Sequence, residues 1–125
     1  MYCLDTSFLV DLARKDAKAI AKYWAISGNR LFASTISFFE FLGGEHRTPQ
    51  EKEIALRFVS SIDELDFGRK EAMEATEIKR ALRGAGKKIE DADILIAATA
   101  KTNRLKLVTR DKDFRKIPGL EVEEY

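Results

Sequence analysis

Short apolar runs alternate along this chain with longer amphipathic segments, and that order leaves few folds open. Tyr2 to Asp5, Leu31 to Ala33 and Leu105 to Thr109 read as strands, Ile62 to Phe67 carries a weaker alternating signal, and Leu120 to Val122 is a short final candidate. Helices are expected between them. Thr6-Ser7 can cap one through Phe8, Leu9 and Leu12, extended or followed by another through Ile20, Tyr23, Trp24 and Ile26. Ser34, Thr35 or Ser37 can start one that stops at Gly43-Gly44, and Pro49 introduces another reaching about Ser61. A long helix from about Arg69 to Leu82 ends at Gly84-Ala85-Gly86, and Asp91 can cap one through about Thr102. A helical turn around Asp111 to Lys116 leads to Pro118-Gly119. Strands separated by helices predict an α/β fold with a parallel sheet of four to five strands covered on both faces.

With 125 residues and 45% hydrophobic content, the chain can bury one core without staples, and no linker or repeat divides residues 1–125. Cys3 is the only cysteine, which excludes an intrachain disulfide and a cysteine-rich metal site. Its apolar neighbours predict an inert buried thiol. No apolar stretch approaches a membrane span, and Met1 leads directly into a strand-like segment rather than a signal peptide, so no membrane partner and a cytoplasmic location are expected.

The net charge of +1 selects no partner, but local charge is uneven. Arg69 to Lys88 carries Arg69, Lys70, Lys79, Arg80, Arg83, Lys87 and Lys88 against Glu71, Glu74 and Glu77, whereas the C-terminus holds Glu121, Glu123 and Glu124. A basic face beside an acidic site suits a polyanion. The same stretch also reads as a solvated helix with spaced ion pairs.

Asp5, Glu40, Asp93 and Asp111 lie far apart in the chain, and each adjoins apolar residues where an unpaired carboxylate is costly. That placement predicts a shared metal site. Asp5 ends an apolar run and could instead cap the following helix. Glu40 is enclosed by Phe38, Phe39, Phe41 and Leu42 in a helix read as buried, with Gly43 permitting close approach of another segment and Arg14 or Arg47 as alternative ion-pair partners. Asp91 and Asp93 share the first turn of an apolar helix, with the structural role assigned to Asp91 and the site role to Asp93. Asp111 is nearer the last clear strand than Asp113, which is read as a supporting or capping residue, and Asp11 as lying on or beside the solvent face. His46, the sole histidine, sits in a polar segment, and there is no Ser/His/Asp pattern, Walker-type loop or GxGxxG fingerprint. Gly84-Ala85-Gly86-Lys87 is too short for a phosphate cradle and reads as a helix stop.

Leu4-Asp5-Thr6-Ser7, Glu40 with Gly43, Asp93-x-x-Ile96-Ala97-Ala98 and Val108-Thr109-Arg110-Asp111-x-Asp113-Phe114, taken in that order, resemble the PIN-domain family, especially its small VapC-like toxins. The resemblance runs from Tyr2 to about Ile117. It implies a PIN-like three-layer α/β/α fold and a ribonuclease dependent on Mg²⁺ or Mn²⁺ that cleaves RNA, dimerises and is inhibited by a small antitoxin. The family's acidic positions carry over to Asp5, Glu40, Asp93 and Asp111, with Thr6 or Ser7 in support. An all-oxygen donor set agrees with those hard cations. A surplus of apolar residues at Phe8, Tyr23, Trp24 and Phe58 is the residue-level reason to expect a homodimer. The competing readings are a non-catalytic RNA- or protein-interaction module of the same fold and, below it, a receiver-type phosphotransfer domain. The latter needs an acceptor Asp after a central strand, and Asp63 and Asp66 flank the weakest one.

Overall fold

The computed structural model describes residues 1–44 and 48–125. Five parallel strands form one sheet in the order β3-β2-β1-β4-β5, with β1 at Tyr2–Leu4, β2 at Leu31–Ser34, β3 at Asp63–Leu65, β4 at Lys106–Thr109 and β5 at Val122–Glu124. Between them run α1 (Thr6–Ala13), α2 (Ala17–Ile26), α3 (Thr35–Leu42), α4 (Pro49–Ser60), α5 (Arg69–Gly84) and α6 (Asp91–Thr102), and a 3-10 turn covers Lys112–Lys116. The three-layer α/β expectation therefore holds.

Strand periodicity builds the two faces. Cys3 and Leu107 enter one buried cluster with Ile78, Leu82, Ile94, Ile96 and Ala97, so this face is covered by α5 and α6. Their neighbours Leu4, Ala33 and Val108 enter the other cluster with Phe8, Leu9, Ala19, Phe38 and Phe41, which places α1 to α4 opposite. Burial with nearby Asp5 charge pushes the Cys3 thiol up to about 12, as an inert thiol requires. Among the described residues no helix is long and apolar enough to cross a membrane.

Register fixes where the chain reverses direction across the sheet. Leaving β1, the chain adds β2 and β3 on one side, then crosses to lay β4 on the other, with Leu4 beside Val108. The crossover loops therefore diverge beyond the carboxyl ends of β1 and β4, where parallel sheets bind ligands. Asp5 and Asp111 follow those ends.

Two strand boundaries differ from expectation. β5 begins two residues beyond Leu120, because the Leu120 N–H still closes a turn onto the Ile117 carbonyl and Gly119 holds φ 75°. β3 is confined to Asp63–Leu65 as an edge strand pairing only with β2, while Ile62 is buried just outside the ladder. Gly43 also acts differently. A Cβ there would lie 2.9 Å from the Phe39 carbonyl oxygen of its own helix, so the glycine accommodates the end of α3 and not a passing segment. His46 and Arg47 lie outside the described residues.

Candidate functional site

Asp5 occupies the N-cap position of α1, with extended ψ of 158°, yet its side chain makes no capping hydrogen bond. Its Oδ2 instead receives the hydroxyl of Thr109 at 2.7 Å and that of Ser7 at 2.8 Å. The capping alternative is thereby replaced by a link from β1 to the end of β4. Asp5 is 3% exposed, and burial raises its pKa against the lowering effect of the Thr109 and Ser7 hydroxyls, with Glu40 adding to the rise.

Thr109 stands in the motif at the end of β4, but its support of Asp5 is hidden in the sequence because a β-branched residue closing an apolar run reads as a strand former. Fully buried, it donates to Asp5 while its Oγ1 accepts the Asp111 N–H at 3.0 Å. That second bond fixes the direction of its own proton. The available signal was its place, a hydroxyl directly before Arg110-Asp111 at a strand end.

Thr6 and Ser7 both support acids, but different ones: Thr6 donates to Glu40 Oε1 at 2.8 Å, tying α1 to α3. Glu40 is half-buried and forms no ion pair among the described residues, so Arg14 is not its partner. The expectation of a helix buried all round is also corrected. Phe38 and Phe41 are inward and Phe39 is 78% exposed, leaving Glu40 at the margin between them. Of the four acids only Asp5 is buried; Glu40, Asp93 and Asp111 are half-buried.

Asp93 lies in the first turn of α6, whose Ile96, Ala97 and Ala100 are fully buried against the sheet and α5. Desolvation, followed by the charges of Asp5, Glu40, Asp111 and Glu90, pushes its carboxyl up to about 7. All four predicted acids therefore share one electrostatic neighbourhood. Asp91 points away into an ion pair with Lys79 at 2.9 Å, as its structural assignment requires.

Asp111 caps the 3-10 turn by accepting the Asp113 N–H at 2.9 Å, reversing the capping role expected of Asp113. Asp113 is exposed and pairs with Lys116 at 2.7 Å. Asp11 is likewise corrected: it is 5% exposed, accepts the Tyr125 hydroxyl at 2.7 Å and faces Arg110 Nε at 3.3 Å. Burial and the bond to Asp11 raise the Tyr125 phenol, whose ring meets Phe8 edge-on at 4.8 Å.

Oxygen-only donors and repulsion concentrated on Asp93 fit a hard divalent cation. Among the described residues, however, no three His, Cys, Asp or Glu side chains are gathered into a ready metal cage. The acids fit an ion that keeps waters between itself and part of the protein, as Mg²⁺ does.

A sequence model for the PIN domain matches residues 2–120. Ribonuclease VapC1 of Rickettsia felis is 36% identical over 126 residues, which span 95% of this chain and 92% of that protein. The tRNA(fMet)-specific endonuclease VapC of Shigella flexneri is 24% identical over 128 residues, covering 99% of this chain and 97% of its own. Among solved structures, VapBC2 of Rickettsia felis bound to a DNA fragment from their promoter matches with a TM-score of 0.90 at 25% identity, covering 99% and 98% of the two chains. VapBC-1 of nontypeable Haemophilus influenzae gives 0.85 at 23% identity, covering 98% and 96%, a likeness of fold.

Proposed function

The chain belongs to the PIN-domain family, and from that premise we propose that it is an endoribonuclease of the VapC kind, the toxin of a toxin-antitoxin pair. The observation that supports this reading is the raised carboxyl of Asp93, at the start of α6, on which the charges of Asp5, Glu40 and Asp111 act together. Relatives named as VapC ribonucleases and neighbours solved as VapBC complexes support the RNA substrate and the antitoxin partner.

The reading assigns Mg²⁺ or Mn²⁺ to Asp5, Glu40 and Asp93, with Asp111 completing the set directly or through water. Bound there, such an ion supplies Lewis-acid charge to a phosphodiester and lowers the pKa of a coordinated water. Thr109 and Ser7 hold Asp5 Oδ2 and thereby orient its carboxylate. Thr6 does the same for Glu40 through Oε1. Desolvation and the neighbouring acids raise the Asp93 carboxyl to about 7, so a cation held there would relieve a repulsion that this residue otherwise meets by keeping its proton.

Asp5→Asn, Glu40→Gln and Asp93→Asn each keep shape while removing charge. Each is expected to reduce RNA cleavage by about a hundredfold or more with an unchanged circular dichroism spectrum. Wild-type rates from clean preparations of all three overturn the proposal. One observation favours a second reading, a non-catalytic interaction module: the acids are not gathered into a cage. Divalent-ion-dependent cleavage by the wild type separates the two.

A homodimer is proposed as well, resting on the exposed Trp24, Phe39, Ile54 and Leu56. Phe8 plays no part in it, being fully buried.

A further inference from the structure

Where α5 hands over to α6, a cleft of about 520 Å³ opens between Lys79, Arg83, Lys87 and Lys88 and the start of α6 at Glu90 and Asp91. Its floor is apolar and already covered, with Leu82, Ile89 and Ile94 each at 8% exposure or less. The walls carry the chemistry. Lys79 is committed to Asp91 and the neighbouring Arg80 to Glu77. Arg83, Lys87 and Lys88 are exposed and make no ion pair among the described residues. Three cations that form no ion pair among those residues thus line one concavity, where Asp91 is held by Lys79 and also feels Arg83, and Glu90 is the acid set against them.

The cleft's place in the fold matters as much as its charge. Glu90 lines the cleft and its charge also reaches Asp93 in the first turn of α6, so the cleft and the acidic site adjoin at the start of that helix, on different faces of it. The turn that presents them is fixed: Gly86 has φ 68°, the Gly86 N–H bonds the Arg83 carbonyl, and the Lys87 N–H bonds the Leu82 carbonyl. The helix stop read from Gly84-Ala85-Gly86-Lys87 therefore also sets three cations around a hollow. A second cleft, lined by Arg69, Lys70, Glu74, Glu77 and Lys101, lies at the opposite ends of α5 and α6, and Lys101 there is paired to Glu74 at 2.6 Å.

We propose that the Arg83, Lys87 and Lys88 cleft is a subsite for the RNA backbone, gripping phosphates that flank the bond presented to the acidic site. The acids repel a polyanion, and a cationic groove beside them holds the strand in place against that repulsion. The unpaired cations at the rim favour a polyanion over a docked protein segment, since Leu82, Ile89 and Ile94 beneath them are nearly covered. The proposal deepens the ribonuclease reading and rests on it for the identity of the strand.

Arg83→Ala/Lys87→Ala/Lys88→Ala in the full chain tests it, with binding of a fluorescent single-stranded oligoribonucleotide measured in EDTA so that no cleavage intervenes. Affinity should fall about tenfold or more, and the slope of log affinity against log salt should shrink by about 2, at roughly 0.7 for each phosphate no longer neutralised. In cleavage assays with divalent ion, KM should rise while kcat stays unchanged. Arg69→Ala/Lys70→Ala, which removes charge at the far cleft, should do neither. If the triple variant melts early, Lys87→Ala/Lys88→Ala in the loop carries the same test. Unchanged RNA affinity, equal weakening by the far-cleft variant, absence of RNA binding by the wild type, or loss of antitoxin binding alone each overturn the subsite. A wild type that binds RNA through this cleft but never cleaves it refutes the nuclease reading and leaves the subsite standing.

Discussion

Asp93 sets the pH behaviour of the site. Its carboxyl titrates near 7 in the folded protein, against an ordinary value of 3.8, chiefly because it is partly desolvated and secondarily because Asp5, Glu40 and Asp111 repel its charge. A group whose pKa is raised on folding binds more protons folded than unfolded between those values. Stability of the metal-free protein in EDTA should therefore fall as pH rises from about 4 to about 7, with the raised Asp5 carboxyl adding to the fall. Asp93→Asn should reduce that slope, leaving the part due to Asp5, and raise stability near pH 8, which urea melts at several pH values will read. A wild-type curve that rises over the same window would count against the shared acidic neighbourhood. Thr109→Val tests the other side of the balance. It deletes the 2.7 Å bond to a buried carboxylate, so a loss of about 1–3 kcal/mol is expected, larger at high pH where Asp5 is charged. Asp113→Asn, at an exposed ion pair, should change stability by less than about 0.5 kcal/mol and cleavage little. Asp111→Asn should harm cleavage more, since asparagine can keep the cap but not the charge.

At the scale of elements, α6 joins the site to the core. Ile96, Ala97 and Ala100 are fully buried, and small residues let the helix lie close to the sheet. Ile96→Ala should cost about 2–5 kcal/mol in denaturant melts. If the helix shifts to fill the gap, divalent-ion affinity should fall with it, because Asp93 rides on the same turn. The α1 start depends on a different device. Its N-cap acid makes no side-chain capping bond and takes the Thr109 and Ser7 hydroxyls, so this helix relies on packing of Phe8 and Leu9. By contrast, α4 begins with a full capping box between Thr48 and Glu51. Thr48→Ala should therefore cost about 1 kcal/mol.

Across the whole molecule, folding brings like charges together at one edge of the sheet and leaves large apolar side chains on the outside. The first has a thermal consequence. Mg²⁺ or Mn²⁺ at millimolar concentration should raise the Tm by mass action, since the unfolded chain has no assembled site, and Asp93→Asn should blunt the rise. A melting curve indifferent to the ion would make the acids structural. The second concerns assembly. Trp24 is 70% and Phe39 78% exposed, so light scattering at micromolar concentration should give the mass of a dimer, and Trp24 fluorescence should shift on dilution if that face is the contact. A monomer would remove the proposal.

Strand and helix order was legible in the sequence because alternation and helix stops are local: apolar runs of period two and glycines such as Gly84 and Gly86 act within a few residues. The acidic set was legible too, because a carboxylate beside an apolar run is anomalous wherever it stands. Tertiary structure decided what no local pattern encodes. Thr109 and Ser7 meet on Asp5 only because β1 and β4 lie side by side. Asp11 reads locally as on or beside the solvent face because its partners Tyr125 and Arg110 are about a hundred residues away in sequence. Glu40 looked enclosed because neighbours in sequence were apolar, whereas the helix turns Phe39 outward. Burial and charge coupling are properties of distances between segments, and those distances exist only once the sheet is assembled.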